Sequence, residues 1–475
     1  MALRALNVIR TSAGPENVEI TSDFVGVVPS SYPVDLIHLF TSGPHEAVVQ
    51  VAVKPNTPRG EGLREKMRTD LTRELPGVQV SFEAADIVSQ VMSFGSPTPI
   101  EVAVQGISLQ DDYAYAQKIR ERMAKLAFLR DLQFAQAQDF PTLDVRIDRE
   151  RAGQFGLTMA DVARSMVPAT SSSRFTQPNY WRDPNSGNAF QIQVQLPQNL
   201  MQDVDAIGEV PVMRQGQTET RLRDLAGFKL GTMPGLIERY NGQHVVSLTA
   251  NIHDLTLGDA AKKLDEALAG VGAPPKGVSV NLRGEIPALR QTLSGLRTGL
   301  SLAVLMILLL LSANFQSFRL AVAIVLTIPA VICGVLLMLL GTGTTLNVQS
   351  FMGAIMAIGI AVSNSILLVT FAEHARRAGR NHLDAVQEGA AGRLRAVLMT
   401  AAAMILGMTP MAIGFGEGGS QSAPLGRAVI GGLILSTFTT LAVLPAIYAI
   451  LQQRASTNSS SLNPMDPESR FYDAR

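Results

Sequence analysis

Five uncharged apolar runs crowd the last third of this 475-residue chain, and no other feature limits its fold so strongly. They occupy residues 298–313, 320–340, 351–372, 397–415 and 428–451. About 20 apolar residues cross a hydrocarbon core as a helix, because a helix satisfies every backbone polar group internally. Buried helices of a large soluble protein do not repeat such stretches five times in succession. The sequence predicts an all-α bundle of five transmembrane helices over 297–452 and therefore a lipid bilayer as its surroundings.

The polar connections set an expected orientation. The segment between the third and fourth runs reads as the longest loop and carries Arg376, Arg377, Arg380, Arg393 and Arg395. Arg319 lies in the turn after the first run, and Arg454 opens the C-terminal tail. The segment 341–350 has no charge. Cytoplasmic loops are enriched in Lys and Arg, so the Arg-rich loop and the tail at 453–475, read as disordered, belong in the cytoplasm. Five crossings then put residues 1–297 on the far side. Yet the N-terminus, MALRALNVIRTSAGPENVEITS, offers no apolar core or small-residue cleavage site for export. The expectation is that the chain is the C-terminal part of a longer polypeptide, through truncation or a split gene.

The region ahead of the bundle has ordinary soluble composition, and its periods alternate. Val49, Val51 and Val53 alternate as in a strand, Leu63, Met67 and Leu71 follow at helical spacing, and Val78, Val80 and Phe82 alternate again. A second unit runs from Ile100, Val102 and Val104 through a helix face of Ile119, Met123 and Leu126 to strands at 132–134 and 143–147. Thr158 and Asp161 form a capping box. Residues 171–186 read as a loop, and Ile192, Val194 and Leu196 as a strand. A third unit has a hairpin signal at Asn241-Gly242, a helix capped by Thr256 and Asp259, and a strand at 278–282. Repeated β-α-β patterns at this scale predict α+β subdomains of ferredoxin-like type. Asp111-Asp112 reads as the polar start of a helix and 148–151 as a solvated charge run.

Chemistry-bearing patterns are absent. There is no Gly-rich phosphate loop, no Ser/His/Asp spacing and no ligand cluster among the six scattered histidines. The chain is read as no enzyme, with no cofactor and no metal site. A net charge of +0 gives no argument for nucleic acid. Cys333 is the only cysteine and cannot form an intramolecular disulfide. The 18 methionines invite a soft-metal reading, but most lie in apolar runs or on helix faces, where Met fills gaps.

Several long motifs resemble the resistance–nodulation–division (RND) efflux pumps of acriflavin-resistance type. They are IDRERAGQFGLTMADVA at 147–163, ANFQSFRLAVAIVLTIPAVICG at 313–334, GIAVSNSILLVTFAEHAR at 359–376, and the runs at 392–418 and 422–448. The resemblance is to the C-terminal half of such a pump. It implies an incomplete first porter subdomain at 1–97 and a second in two parts, 98–148 and 229–296. A docking subdomain at 149–228 lies between those parts, and the helices follow. It implies a bacterial inner-membrane drug/proton antiporter for hydrophobic or amphiphilic compounds, with heavy-metal export as the alternative. A non-transporting truncated protein is a further alternative. The partners implied are the missing N-terminal half, a homotrimer, a periplasmic adaptor and an outer-membrane channel.

In the family a lysine on the tenth helix pairs with two acids on the fourth, and the resemblance puts Ser363 at the lysine's place. Asn364 keeps the neighbouring amide, while Arg393 and Thr400 match positions of the proton path. These four are the expected proton-relay supports, against a plain role as polar glue between helices. No ionisable residue is expected in the interior of the five helices. Gly353, Ala357 and Ala361 follow small-xxx-small spacing, which lets a partner helix approach closely. That partner is expected in the missing half.

Overall fold

The computed structural model describes residues 1–26, 41, 43–54, 60–84, 87–173, 178–201, 203–213, 219–415 and 419–453. Residues 416–418 and 454–475, the second stretch read as a disordered tail, lie outside the described residues. The chain forms two compact units. One comprises residues 1–85, 96–253 and 263–283, and the other 86–95, 254–262 and 284–475.

The first unit opens with helix α1 (Ala2–Ala13) and an antiparallel pair of strands, β1 (Val18–Val25) and β2 (Ala47–Val53). Helix α2 (Glu61–Glu74) buries Met67 and Leu71 at i, i+4 spacing. It meets α1 through a Ser12 hydroxyl that donates to Asp70 Oδ2 at 2.8 Å. The strand expected at Val78–Phe82 does not form. Side chains take its backbone groups instead: the Phe82 carbonyl accepts from Asn251 Nδ2 at 2.8 Å, and its N–H lies 3.5 Å from Asp131 Oδ2. An alternating run becomes a strand only where another strand offers an edge.

Strand β3 (Ile100–Gly106) leads into helix α3 (Leu109–Met123) and strands β4 (Leu129–Phe134) and β5 (Phe140–Ile147). The insertion that follows holds helices α4 (Arg149–Gln154) and α5 (Met159–Thr170). Asp148, read as part of a charge run, caps α4 by accepting from the N–H groups of Glu150 and Arg151. Thr158 and Asp161 close the capping box of α5. The segment read as a loop contains β6 (Asn179–Arg182), which pairs with β7 (Ala189–Ile192); residues 174–177 lie outside the described residues. Asp183 shapes the turn by accepting from the hydroxyl and N–H of Ser186 and the N–H of Asn185, which hold its carboxyl below the ordinary range. The short strands β8 (Pro211–Val212) and β9 (Thr220–Arg221) pair with each other. Ala152, Leu157, Val162, Val212, Leu222 and Leu225 give this insertion its own core.

Strand β10 (Ala226–Met233) returns antiparallel to β5. Strands β11 (Glu238–Tyr240) and β12 (Gln243–Ile252) form a tight hairpin, with Asn241 at φ 51° and Gly242 at φ 78° as a type I′ turn requires. Helix α6 (Leu257–Ala269) and strand β13 (Ser279–Gly284) follow. The main sheet has the order β4-β12-β3-β13, with β11 beside the start of β12. It is buried on both faces at β3, so Glu101 and Gln105 there need partners. Ser247 Oγ donates to Glu101 at 2.7 Å, and Gln105 Nε2 to the Tyr240 carbonyl at 3.0 Å.

Asp112 is a cost in this unit. It lies in the first turn of α3, fully buried, and neither carboxylate oxygen has a hydrogen-bond partner among the described residues. Gly106 is glycine because a Cβ there would collide with that carboxylate. Burial pushes the Asp112 carboxyl up; His244 opposes this and Asp111 adds to it. A raised folded-state pKa means stability is fully present below the ordinary value of 3.8 and is lost as pH rises through the folded value. Asp112→Asn, neutral at every pH, is therefore expected to melt at a higher temperature than wild type at pH 7, with the gap closing towards pH 4. Parallel melting curves in detergent across that range would show that the carboxyl carries no such penalty.

The second unit holds five helices long and apolar enough to cross a membrane. The first is Glu285–Phe315. The second is broken into Phe318–Val325 and Ile328–Gly341. Pro329 cannot donate a helical hydrogen bond, and the Thr327 hydroxyl donates to the Ile324 carbonyl at the break. The third is Val348–Arg377, with a capping box at Asn347 and Ser350, and the fourth is His382–Ile413. The fifth runs as Gly419–Phe438, a π-helical turn at Thr439–Val443, and Leu444–Gln452 beginning around Pro445. Each begins before its apolar run, and all but the fourth end beyond theirs. The Arg-rich segment read as a loop is mostly helix, and only residues 378–381 connect the third span to the fourth.

Candidate functional site in the membrane helices

The third span has one buried stripe, Gly353, Ala357, Ala361, Ser365, Leu368 and Ala372. Its small residues meet the fifth span of the same chain. A Cβ on Gly353 would come within 2.6 Å of the Leu425 carbonyl, and one on Gly432 within 2.6 Å of Ala357 Cβ. The close partner expected outside the chain thus lies within it for Gly353 and Ala357. Ser365 bonds back to the Ala361 carbonyl at 2.8 Å and faces the Thr440 hydroxyl at 3.4 Å.

Ser363 lies on the exposed face of this helix, and Asn364 is half-buried. Thr400 is exposed on the fourth span, and its hydroxyl donates to the Ala396 and Val397 carbonyls at 3.0 Å. Arg393 is half-buried, with its guanidinium carbon 3.9 Å from the centre of the Phe371 ring. Its Nε is buried without a hydrogen-bond partner among the described residues. No hydrogen bond joins these four to one another among the described residues. Ser363 and Thr400 are both uncovered.

Beyond the apolar runs, the ends of these helices take in ionisable groups. Glu373 is buried in the last turns of the third span, 8% exposed, four residues beyond Val369 on the buried stripe. Its Oε1 accepts from the Tyr448 hydroxyl of the fifth span at 2.7 Å, and its Oε2 from Arg376 Nη2 at 3.0 Å and Nε at 3.2 Å. Tyr448 is fully buried, and Gln452 lies buried one turn further along. Glu373 is the one buried carboxylate in the five spans among the described residues. Arg427, one residue before the fifth apolar run, is in the fifth span. Its Nε donates to the Ala412 carbonyl at 2.9 Å and its Nη1 to the Thr344 hydroxyl at 2.6 Å. The first of these bonds caps the open C-terminal carbonyls of the fourth span.

Residues 26–452 match the family model described as the AcrB/AcrD/AcrF family. The chain belongs to that family. It is a family of RND efflux transporters, as the motifs imply, and with five apolar spans the chain is an inner-membrane protein. Among relatives, the cobalt-zinc-cadmium resistance protein CzcA of Cupriavidus metallidurans is 28% identical over 358 residues, 74% of this chain and 33% of that protein. The nickel and cobalt resistance protein CnrA of the same organism is 29% identical, over 76% of this chain and 34% of its own length. The multidrug resistance protein MdtC of Erwinia amylovora is 24% identical, over 90% and 42%. The crystal structure of a heavy metal efflux pump shares the fold, with a TM-score of 0.80 at 24% identity, covering 95% of this chain and 45% of that one. The chain thus spans about a third to under half the length of these relatives.

Proposed function

We propose that this chain is the C-terminal half of a proton-driven RND exporter, and the family match over residues 26–452 carries that reading. In it, 98–148 and 229–296 make one porter subdomain of ferredoxin-like type, which the sheet order β4-β12-β3-β13 supports. Residues 149–228 are a docking subdomain, supported by their separate core, and 1–97 belong to another porter subdomain. The β6–β7 hairpin exposes Tyr180, Trp181, Phe190 and Ile192, an apolar arm suited to a neighbouring subunit and hence to a homotrimer. A periplasmic adaptor and an outer-membrane channel complete the assembly.

In this reading Ser363 and Thr400 sit on the free side of the bundle and face a second bundle, which supplies the acids of the proton path. Ser363, Asn364 and Thr400 do not titrate near neutral pH, so they support a relay without carrying the proton. Alternating access also needs a second bundle to rock against. Proteoliposomes holding only this chain and an internal pH dye are expected to match empty vesicles when substrate is added. Those that also hold an N-terminal half with its fourth-helix acids are expected to show substrate-dependent proton flux. No flux from the joint vesicles would sink the half-exporter reading, and flux from this chain alone would place a carrier within it.

Amphiphilic compounds are the substrates implied by the motifs. A second reading, metal cations, is favoured by the metal-resistance names of relatives at 28–29% identity against a multidrug name at 24%. The orientation follows from arginine content: 378–381 cytoplasmic, 342–347 periplasmic. Leu346→Cys and Arg380→Cys, each in a Cys333→Ser background, check it with an impermeant thiol reagent on whole cells. Labelling at 380 with protection at 346 would invert the topology.

A further inference from the structure

We propose that Glu61, Glu65 and His253 form a site for a divalent transition-metal cation of the zinc class. Glu61 and Glu65 stand one turn apart on α2, so their carboxylates share a face, and His253 follows the end of β12. His253 Nδ1 lies 3.4 Å from Glu61 Oε1 and 3.4 Å from Glu65 Oε1. The three donor atoms are all within 4.8 Å of one another. Two ligands about 2.1 Å from a tetrahedral zinc are about 3.4 Å apart, so the two His–Glu spacings are those of a cation's ligands without any movement.

The surroundings hold this donor set in place. Arg68 grips Asp131 with two parallel bonds, Nε to Oδ1 at 2.6 Å and Nη2 to Oδ2 at 2.8 Å. Its remaining nitrogen, Nη1, donates to Glu65 Oε1 at 2.6 Å. Arg130 Nε also reaches that oxygen at 3.3 Å. These arginines fix the Glu65 carboxylate as hydrogen-bond partners behind a metal ligand do, and they leave Oε2 of Glu65 as a further donor. They also oppose a cation by charge, which two carboxylates outweigh only for an ion that binds imidazole as well. That selects zinc, cobalt or nickel over calcium or magnesium, which take oxygen ligands. All three side chains are part-exposed, at 39%, 29% and 20% for Glu61, Glu65 and His253. Three protein ligands leave a fourth position to water, so the ion exchanges with solvent and is no structural staple.

The inference deepens the metal-cation reading but stands on donor geometry alone. Full-length protein, purified in detergent with a tag free of histidine, is titrated with cobalt(II) chloride. The visible absorption of tetrahedral cobalt is expected to saturate at one equivalent and to be displaced by zinc. His253→Ala should abolish the band, and Glu65→Gln and Arg68→Met should weaken binding at least about tenfold. His244→Ala, whose ring instead contacts the Ile107 carbonyl, should bind as wild type does. A melting curve on each variant separates lost ligands from lost fold, and Glu61→Gln, the most exposed ligand, gives a second mild test. Equal cobalt binding in folded His253→Ala and wild type, or no band in wild type, overturns the site. Binding without vesicle transport leaves the site standing and removes only the transport reading.

Discussion

Glu373→Ala is expected to cost this bundle about 3–5 kcal/mol, the usual loss when one member of a buried ion pair is removed. The Glu373 and Arg376 side chains are each 11% exposed, so neither charge has water to fall back on. Alanine would take the Glu373 carboxylate away from both the Arg376 guanidinium and the fully buried Tyr448 hydroxyl. Glu373→Gln keeps the shape and an acceptor for Tyr448, so its loss should be smaller. Tyr448→Phe should cost about 1.5–3 kcal/mol, the value of a hydrogen bond to a charged group. The check is a double-mutant cycle on thermal unfolding in detergent. Coupling between Glu373→Gln and Tyr448→Phe should reach at least about 1 kcal/mol, and additive losses would mean the two side chains do not act together.

That pair shows where sequence reading stops. The five spans were legible because hydropathy reports contact with hydrocarbon directly. Their ends were not, because a helix continues wherever its backbone bonds are satisfied, and polar residues such as those at 285–297 and 382–396 stay helical beyond the lipid. Glu373 fell in that overrun. Its one sequence signal was position: 361, 365, 369 and 373 continue a single buried stripe at i+4 spacing. Its partner Tyr448 is 75 residues away, and no local pattern links them.

The strands divide in the same way. Alternation at 143–147 and 278–282 found β5 and β13 because each has a partner edge. The same alternation at 78–82 met side chains instead of a strand. The exposed β6–β7 hairpin was hidden because strands without a buried face have nothing to impose a period. The capping boxes and the Asn241-Gly242 turn were legible because their chemistry is local. Ser363, Asn364, Arg393 and Thr400 came from family resemblance alone, and their exposure could not be read from residue type. The metal-ligand spacing was invisible because α2 and the end of β12 meet only through the tertiary fold.

The contact of the second and fifth spans gives the other large effect. Backbones approach closely there because Gly334 and Gly431 face each other: a Cβ on Gly431 would come within 2.5 Å of the Gly334 carbonyl oxygen. On the neighbouring turn face, a Cβ on Gly432 would meet Ala357 of the third span. Backbone atoms cannot rotate out of the way as a side chain can. Gly431→Leu must therefore push two spans apart, and it forfeits the dispersion contacts that hold helices together where no hydrophobic force does. The expected cost is about 3 kcal/mol or more, at or beyond the top of the usual range for overpacking. Gly359→Leu is the matched control, since a Cβ there meets nothing within 4 Å. In detergent, Gly431→Leu should run as a broadened or aggregated species and be cut readily by protease in the loops beside the fifth span. Gly359→Leu should remain monodisperse and resist cleavage as wild type does. Equal behaviour of the two variants would mean that the second and fifth spans are not packed backbone to backbone at these glycines.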